Sequence, residues 1–219
     1  MKKIGFIGLG IMGSHMASHL LKKYNQINLI QRKSQRTKKF ISRYKNNLVI
    51  YDDLKEFAKN SEVVISCVGN DKDLINIYLK KNTILDNIRK NSIIIDHTTS
   101  SSEIAIKLHD NFKKKKAYFF DAPVSGGEIG AKDGTLSIMV GGNKNKFNIL
   151  CNLLDCYYKS LIYMGNSGNG QLTKMVNQIC VASVIQGLAE GLNFAKKKKI
   201  KCKKSYRSNK KWSSSIMAA

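Results

Sequence analysis

No two cysteines of this chain form a CxxC pair, and the five present (Cys67, Cys151, Cys156, Cys180 and Cys202) show no metal-ligand spacing. That excludes a cysteine metal centre and a disulfide framework, and leaves free thiols in a reducing cytoplasm as the expectation. No run of 18 apolar residues occurs, so no membrane span is expected. The apolar start is short, strand-like and broken by glycines, so no secretory signal is expected. Acid is scarce as well, with 15 Asp and Glu against 38 Lys and Arg, a formal charge of +23 and a single proline. A basic excess of this size suits nucleic acid. Here, however, the basic residues are spread along the chain rather than interleaved with aromatics. The wealth of Lys, Asn and Ile fits adenine-rich codons, and a nucleic-acid partner is not expected.

The charge is also uneven. Residues 196–219 contain ten Lys and Arg and no acid, and they open on Lys196-Lys197-Lys198-Lys199 directly after a helical segment. Without those ten the net charge falls to +13. The tail has neither a helical nor a strand period. Four consecutive lysines imply a run of adenines, at which a reading frame slips. Trp212 and Met217 have single codons, so reading one base later forces Gly and Trp at those positions. With suitable codons, Ser205–Ser208 becomes V-I-E-A, and the rebuilt peptide has an amphipathic helical pattern ending in glycine. The expectation is that residues 196–219 are an out-of-frame, disordered tail.

What remains has strand alternating with helix, at a length that allows one complete domain and a fragment of another. Apolar runs at 3–8, 27–31, 48–51, 62–68, 92–96, 117–121, 136–141 and 161–164 read as strands, with a helix at 11–22 after the first. Repeated βα units with near-continuous apolar strands predict a parallel sheet buried on both faces. The fold class is therefore α/β, a Rossmann-type doubly wound sheet over residues 1–164. From Gln171 to Ala195 the chain reads as one long helix, apolar almost all round. Residues 165–195 would open an all-helical second domain that is then truncated.

The first strand runs into Gly8-Leu9-Gly10-Ile11-Met12-Gly13. Gly8 suits a tight strand-to-helix turn, Gly10 lets backbone approach a pyrophosphate, and Gly13 lets the helix pack on the sheet. The phosphates would lie at the positive end of the helix. After the second strand, where an acidic residue would hold the ribose hydroxyls of NAD, the sequence is Gln31-Arg32-Lys33-Ser34. A guanidinium and a hydroxyl there suit the extra phosphate of NADP, with NAD as the alternative.

Two further stretches bear on chemistry. Asp121-Ala122-Pro123-Val124-Ser125-Gly126-Gly127 follows the sixth strand, where small residues and free amides could hold a carboxylate. A glycine-rich loop from Gly165 then enters the long helix, on which Lys174 and Asn177 stand three residues apart. A lysine and an asparagine among apolar helix positions cost free energy unless they are paired or used.

The segments GFIGLGIMG, DHTTSS (Asp96–Ser101), DAPVSGG, DGTLSIMVGG and GxxGxGQxxKxxNQ occur in this order over residues 1–195. Together they resemble the β-hydroxyacid dehydrogenase family, which includes 3-hydroxyisobutyrate dehydrogenase, tartronate semialdehyde reductase and 6-phosphogluconate dehydrogenase. The resemblance implies that Lys174 is the catalytic lysine and Asn177 a substrate-binding neighbour. It implies a substrate loop at Ser125, Gly126 and Gly127, and cofactor contacts from Val68 and Thr99 beside residues 8–13, 31 and 32. It also implies a small hydroxy-acid substrate, no metal, and a homo-oligomer for the intact enzyme. Members carry an all-helical second domain whose later residues help hold the substrate; the expectation is that this chain is truncated before them and that its activity is impaired. The rival reading is a non-catalytic dinucleotide-binding or nucleic-acid-associated module, against which Lys174 and Asn177 weigh.

Overall fold

The computed structural model describes residues 2–30 and 34–200. They fall into two compact units, within Met1–Lys174 and within Met175–Ala219. In the first unit six short strands lie parallel: β1 (Ile4–Ile7), β2 (Ile27–Ile30), β3 (Leu48–Tyr51), β4 (Val63–Ser66), β5 (Ile93–Asp96) and β6 (Tyr118–Asp121). Their order, β3-β2-β1-β4-β5-β6, is that of a doubly wound dinucleotide fold.

Helices cover both faces. They are α1 (Ile11–Tyr24), α2 (Gln35–Tyr44), α3 (Leu54–Lys59), α4 (Asp71–Leu74), α5 (Ile84–Asn87), α6 (Ser102–Lys114), α7 (Gly127–Asp133) and α8 (Lys144–Leu154). Successive strand residues point to opposite faces, and the core divides accordingly. Phe6, Ile65 and Ile95 join Met16 and Leu20 of α1 in one layer. Ile7, Val64 and Ile94 join Leu108 and Phe112 of α6 in the other. Burial on both faces is why β1, β2, β4 and β5 read as near-continuous apolar runs.

The sheet departs from the expected parallel order beyond β6. Three more strands complete it: β7 (Val124–Ser125), β8 (Leu136–Gly141) and β9 (Tyr158–Gly165). β8 runs antiparallel to both β6 and β7. Only α7 and its flanking turns separate β7 from β8, less than the dozen or so residues that a parallel crossover needs. The longer path through α8 then brings β9 back parallel to β8. β9 begins three residues before the apolar run Leu161–Met164, because Lys159 and Ser160 mask its start.

The last helix, α9 (Asn169–Lys197), runs two residues past the boundary expected at Ala195. Lys196 and Lys197 occupy its final turn, where positive charge complements the helix dipole. In the second unit Val176, Ile179, Val184 and Ile185 are each more than half exposed. By length and composition α9 is sufficient to cross a membrane, a test that the core helix of a soluble protein also passes. The expectation for residues 201–219 lies outside the described residues.

Candidate active site

The parallel register aligns the carboxyl ends of four strands. Ile7 pairs with Ser66, Ser66 with Asp96, and Asp96 with Asp121. The loops that follow these residues therefore emerge along one edge, where open α/β sheets bind ligands. They carry Gly8–Gly13, Val68, Thr99 and Ser125–Gly127.

The glycine turn is shaped by close backbone approach. Gly8 has φ +99°, and a Cβ there would lie 2.0 Å from the carbonyl oxygen of Cys67. A Cβ on Gly13 would lie 1.9 Å from the carbonyl oxygen of Gly8. Gly10 differs, since its Cβ would meet nothing within 4 Å. Gly10 also caps α1, with no side chain accepting from the first turn and no acid in that turn. The helix thus presents free amides beside open space, which is what an incoming pyrophosphate requires. Leu9 and Gly13 are buried, Met12 is half-buried, and Ile11 is exposed at the mouth.

Val68 and the loop after β5 are joined directly. The Val68 amide donates to Thr98 Oγ1 at 3.0 Å, and the Thr98 hydroxyl donates to Asp96 Oδ1 at 2.6 Å. The Thr98 amide and Ser66 Oγ also donate to that oxygen, and Tyr78 donates to Ser66 Oγ. Burial pushes the Asp96 carboxyl up to about 7 against these hydrogen bonds. His97, also buried, lies between Ala122 O at 2.6 Å and Tyr157 Oη at 2.9 Å. A carbonyl can only accept, so Nδ1 carries the proton and neutral Nε2 accepts from Tyr157. Burial lowers the imidazole pKa to about 4. Thr99 is exposed. Ser100 Oγ is enclosed without a hydrogen-bond partner, a donor aimed at nothing in the protein.

After β7, Gly126 and Gly127 have φ of +130° and +62°. A Cβ on Gly127 would enter open space. Ser125 is half-buried at the end of β7, so this turn offers backbone amides and a hydroxyl without bulk.

Lys174 is 7% exposed, and burial lowers its pKa from the ordinary lysine value. Asn177 belongs to the second unit, where it is half-buried and its amide donates to Gln178 Oε1 at 3.3 Å. Gln31 and Arg32 lie outside the described residues. Sequence reading missed the residues that fasten the start of α9. The buried side chain of Gln171 donates to Thr98 O at 2.7 Å and accepts from the Ser100 amide at 3.1 Å. Asp121 accepts from the amides of Gly168 and Gln171. The one available signal was a polar residue at each of two glycine-rich turns. Among the described residues, no group of three or more His, Cys, Asp or Glu side chains could hold a metal ion.

The family model for the NAD binding domain of 6-phosphogluconate dehydrogenase matches residues 3–165. An uncharacterized oxidoreductase of Shewanella frigidimarina is 40% identical over 196 residues, covering 90% of this chain and 67% of the relative. The mitochondrial 3-hydroxyisobutyrate dehydrogenase of Drosophila melanogaster is 34% identical over 194 residues, covering 89% of this chain and 58% of that protein. The chain therefore spans about two thirds of the length of such relatives. A solved structure of Mycobacterium tuberculosis 3-hydroxyisobutyrate dehydrogenase with L-serine superposes with a TM-score of 0.86. The match covers 95% of this chain and 70% of that one at 24% identity, a likeness of fold alone.

Proposed function

The chain belongs to the family of the 6-phosphogluconate dehydrogenase NAD-binding domain, and from that premise we propose that it is an NADP-preferring dehydrogenase of small β-hydroxyacids. The substrates meant are of the 3-hydroxyisobutyrate or tartronate semialdehyde type. The observation that carries this reading is Lys174, a buried lysine whose pKa is lowered by burial. It stands one helical turn from Gln171, which is tied to the loop after β5.

The residues present fit the dinucleotide. Open space at Gly10 and the uncapped amides of α1 would take the pyrophosphate, and the loops at Val68 and Thr99 would flank the nicotinamide. The orphaned hydroxyl of Ser100 is available to a ligand on that side. Arg32, with no carboxylate between it and the end of β2, would meet the ribose phosphate. When bound, the nicotinamide supplies the two-electron acceptor or donor. The amides of Gly126 and Gly127 and the hydroxyl of Ser125 would hold the substrate carboxylate. Lys174 Nζ, in the neutral form that burial favours, would take the hydroxyl proton as the hydride leaves carbon. Charged, it would return that proton in the reverse direction.

The test is oxidation of 3-hydroxyisobutyrate or reduction of tartronate semialdehyde, followed by nicotinamide absorbance. Turnover faster with NADP than with NAD supports the reading. Cofactor binding without turnover of either acid would overturn the substrate assignment.

A further inference from the structure

Residues 167–174 lead from a glycine-rich loop into α9 and end on Lys174. Two buried side chains fasten this segment to the sheet. Asp121, the last residue of β6, accepts from Ser167 Oγ at 3.1 Å and the Gly168 amide at 2.9 Å through Oδ1. Through Oδ2 it accepts from the Gln171 amide at 3.1 Å. The first amides of a helix lack intrahelical partners, and a carboxylate there satisfies both hydrogen bond and dipole.

The carboxylate occupies a fitted socket. A Cβ on Gly141 would lie 2.6 Å from Asp121 Oδ1, and one on Gly170 would lie 2.8 Å from Oδ2. Any larger residue at either position displaces Asp121 or the helix. Gln171, fully buried, uses both ends of its amide on the loop after β5, donating to Thr98 O and accepting from the Ser100 amide. Thr98 is itself bonded to Asp96 and to the Val68 amide. An unbroken set of bonds therefore joins the ends of β4, β5 and β6 to residue 171, one helical turn before Lys174.

We infer that Asp121 and Gln171 are positioning residues that hold Lys174 at a fixed place relative to the loop following β5. This rests on the proposed role of Lys174. Glutamine serves at 171 because it offers a donor and an acceptor in one plane without charge. A methionine of similar length would fill the space and lose both bonds. With the start of α9 released, water reaches Nζ and the burial that lowers its pKa is relieved.

The measurement is the pH titration of the Lys174 Cε resonance in protein labelled with [13C]lysine, assigned by its absence in Lys174→Met. In the unmodified protein the midpoint should fall below those of the surface lysines. Gln171→Met changes no charge and should raise the midpoint by roughly half a pH unit or more, the direction expected when desolvation is relieved. Its far-ultraviolet circular dichroism should match that of the original, since both core layers of the sheet are untouched. Should Gln171→Met fail to fold, Ser167→Ala removes one of the donors to Asp121 and should move the midpoint in the same direction. An unchanged midpoint in a folded variant overturns the inference. A Lys174 that already titrates with the surface lysines in the unmodified protein overturns the proposed acid-base role instead, which separates the two failures.

Discussion

Gly13 lies so close beneath Gly8 that a Cβ on it would stand 1.9 Å from the Gly8 carbonyl oxygen. Gly10, three residues earlier, would carry a Cβ into open space. The same substitution should therefore have two different consequences. Gly13→Ala forces α1 away from the strand end and should cost about 1–3 kcal/mol, the range for overpacking a tight contact. Gly10→Ala should leave the melting temperature unchanged and weaken NADPH binding, because its methyl group occupies the approach to the helix amides. Thermal denaturation and NADPH fluorescence titration separate the two effects. Equal loss of stability in both variants would contradict this division of roles.

Cofactor preference is expected to reside at Arg32. The chain places no carboxylate between the end of β2 and Ser34, so nothing there repels a ribose phosphate. Arg32→Ala should weaken NADPH binding by roughly 10-fold or more, the scale of a lost charged hydrogen bond. NADH affinity should change little. Equal effects on the two cofactors would remove Arg32 from the discrimination.

Asp96 and His97 give stability opposite pH dependences. The folded pKa of Asp96 is raised from 3.8 to about 7, so its contribution is full below 3.8 and is lost as pH rises through 7. That of His97 is lowered from 6.5 to about 4, so its contribution is present above 6.5 and is lost as pH falls through 4. The two oppose each other between about 4 and 6.5, and Asp96 acts alone above that window. Asp96→Asn retains the oxygen that Ser66 and Thr98 require. It should abolish the part of the stability decline between pH 3.8 and about 7 that comes from charging this carboxyl. Parallel melting curves for the two proteins across that range would show that Asp96 stays protonated or is solvated.

Much of the first unit was legible because its strands are buried on both faces and so appear as apolar runs between polar helices. The glycine spacing likewise marked the first turn, where φ and close approach leave few alternatives. β7 was not legible, as two residues carry no period, and the antiparallel return of β8 depends on a connection length rather than on residue type. The start of α9 shows the limit most clearly. Leu172 belongs to the apolar set of that helix yet is 47% exposed, whereas polar Gln171 is buried. Hydrophobic period orients a helix that is held by apolar contact. Here the first turn is held by the bonds of Gln171 to Thr98 and Ser100, and by Asp121, all partners distant in sequence. A sequence displays the donors and acceptors but not which of them meet.

The most direct test of the proposed chemistry is Lys174→Ala, assayed for hydride transfer with 3-hydroxyisobutyrate or tartronate semialdehyde beside an NADPH titration. The account predicts turnover lower by roughly 10²-fold or more, the usual scale for losing a general acid-base group, with cofactor affinity essentially unchanged. Turnover within a few-fold of the original would contradict it.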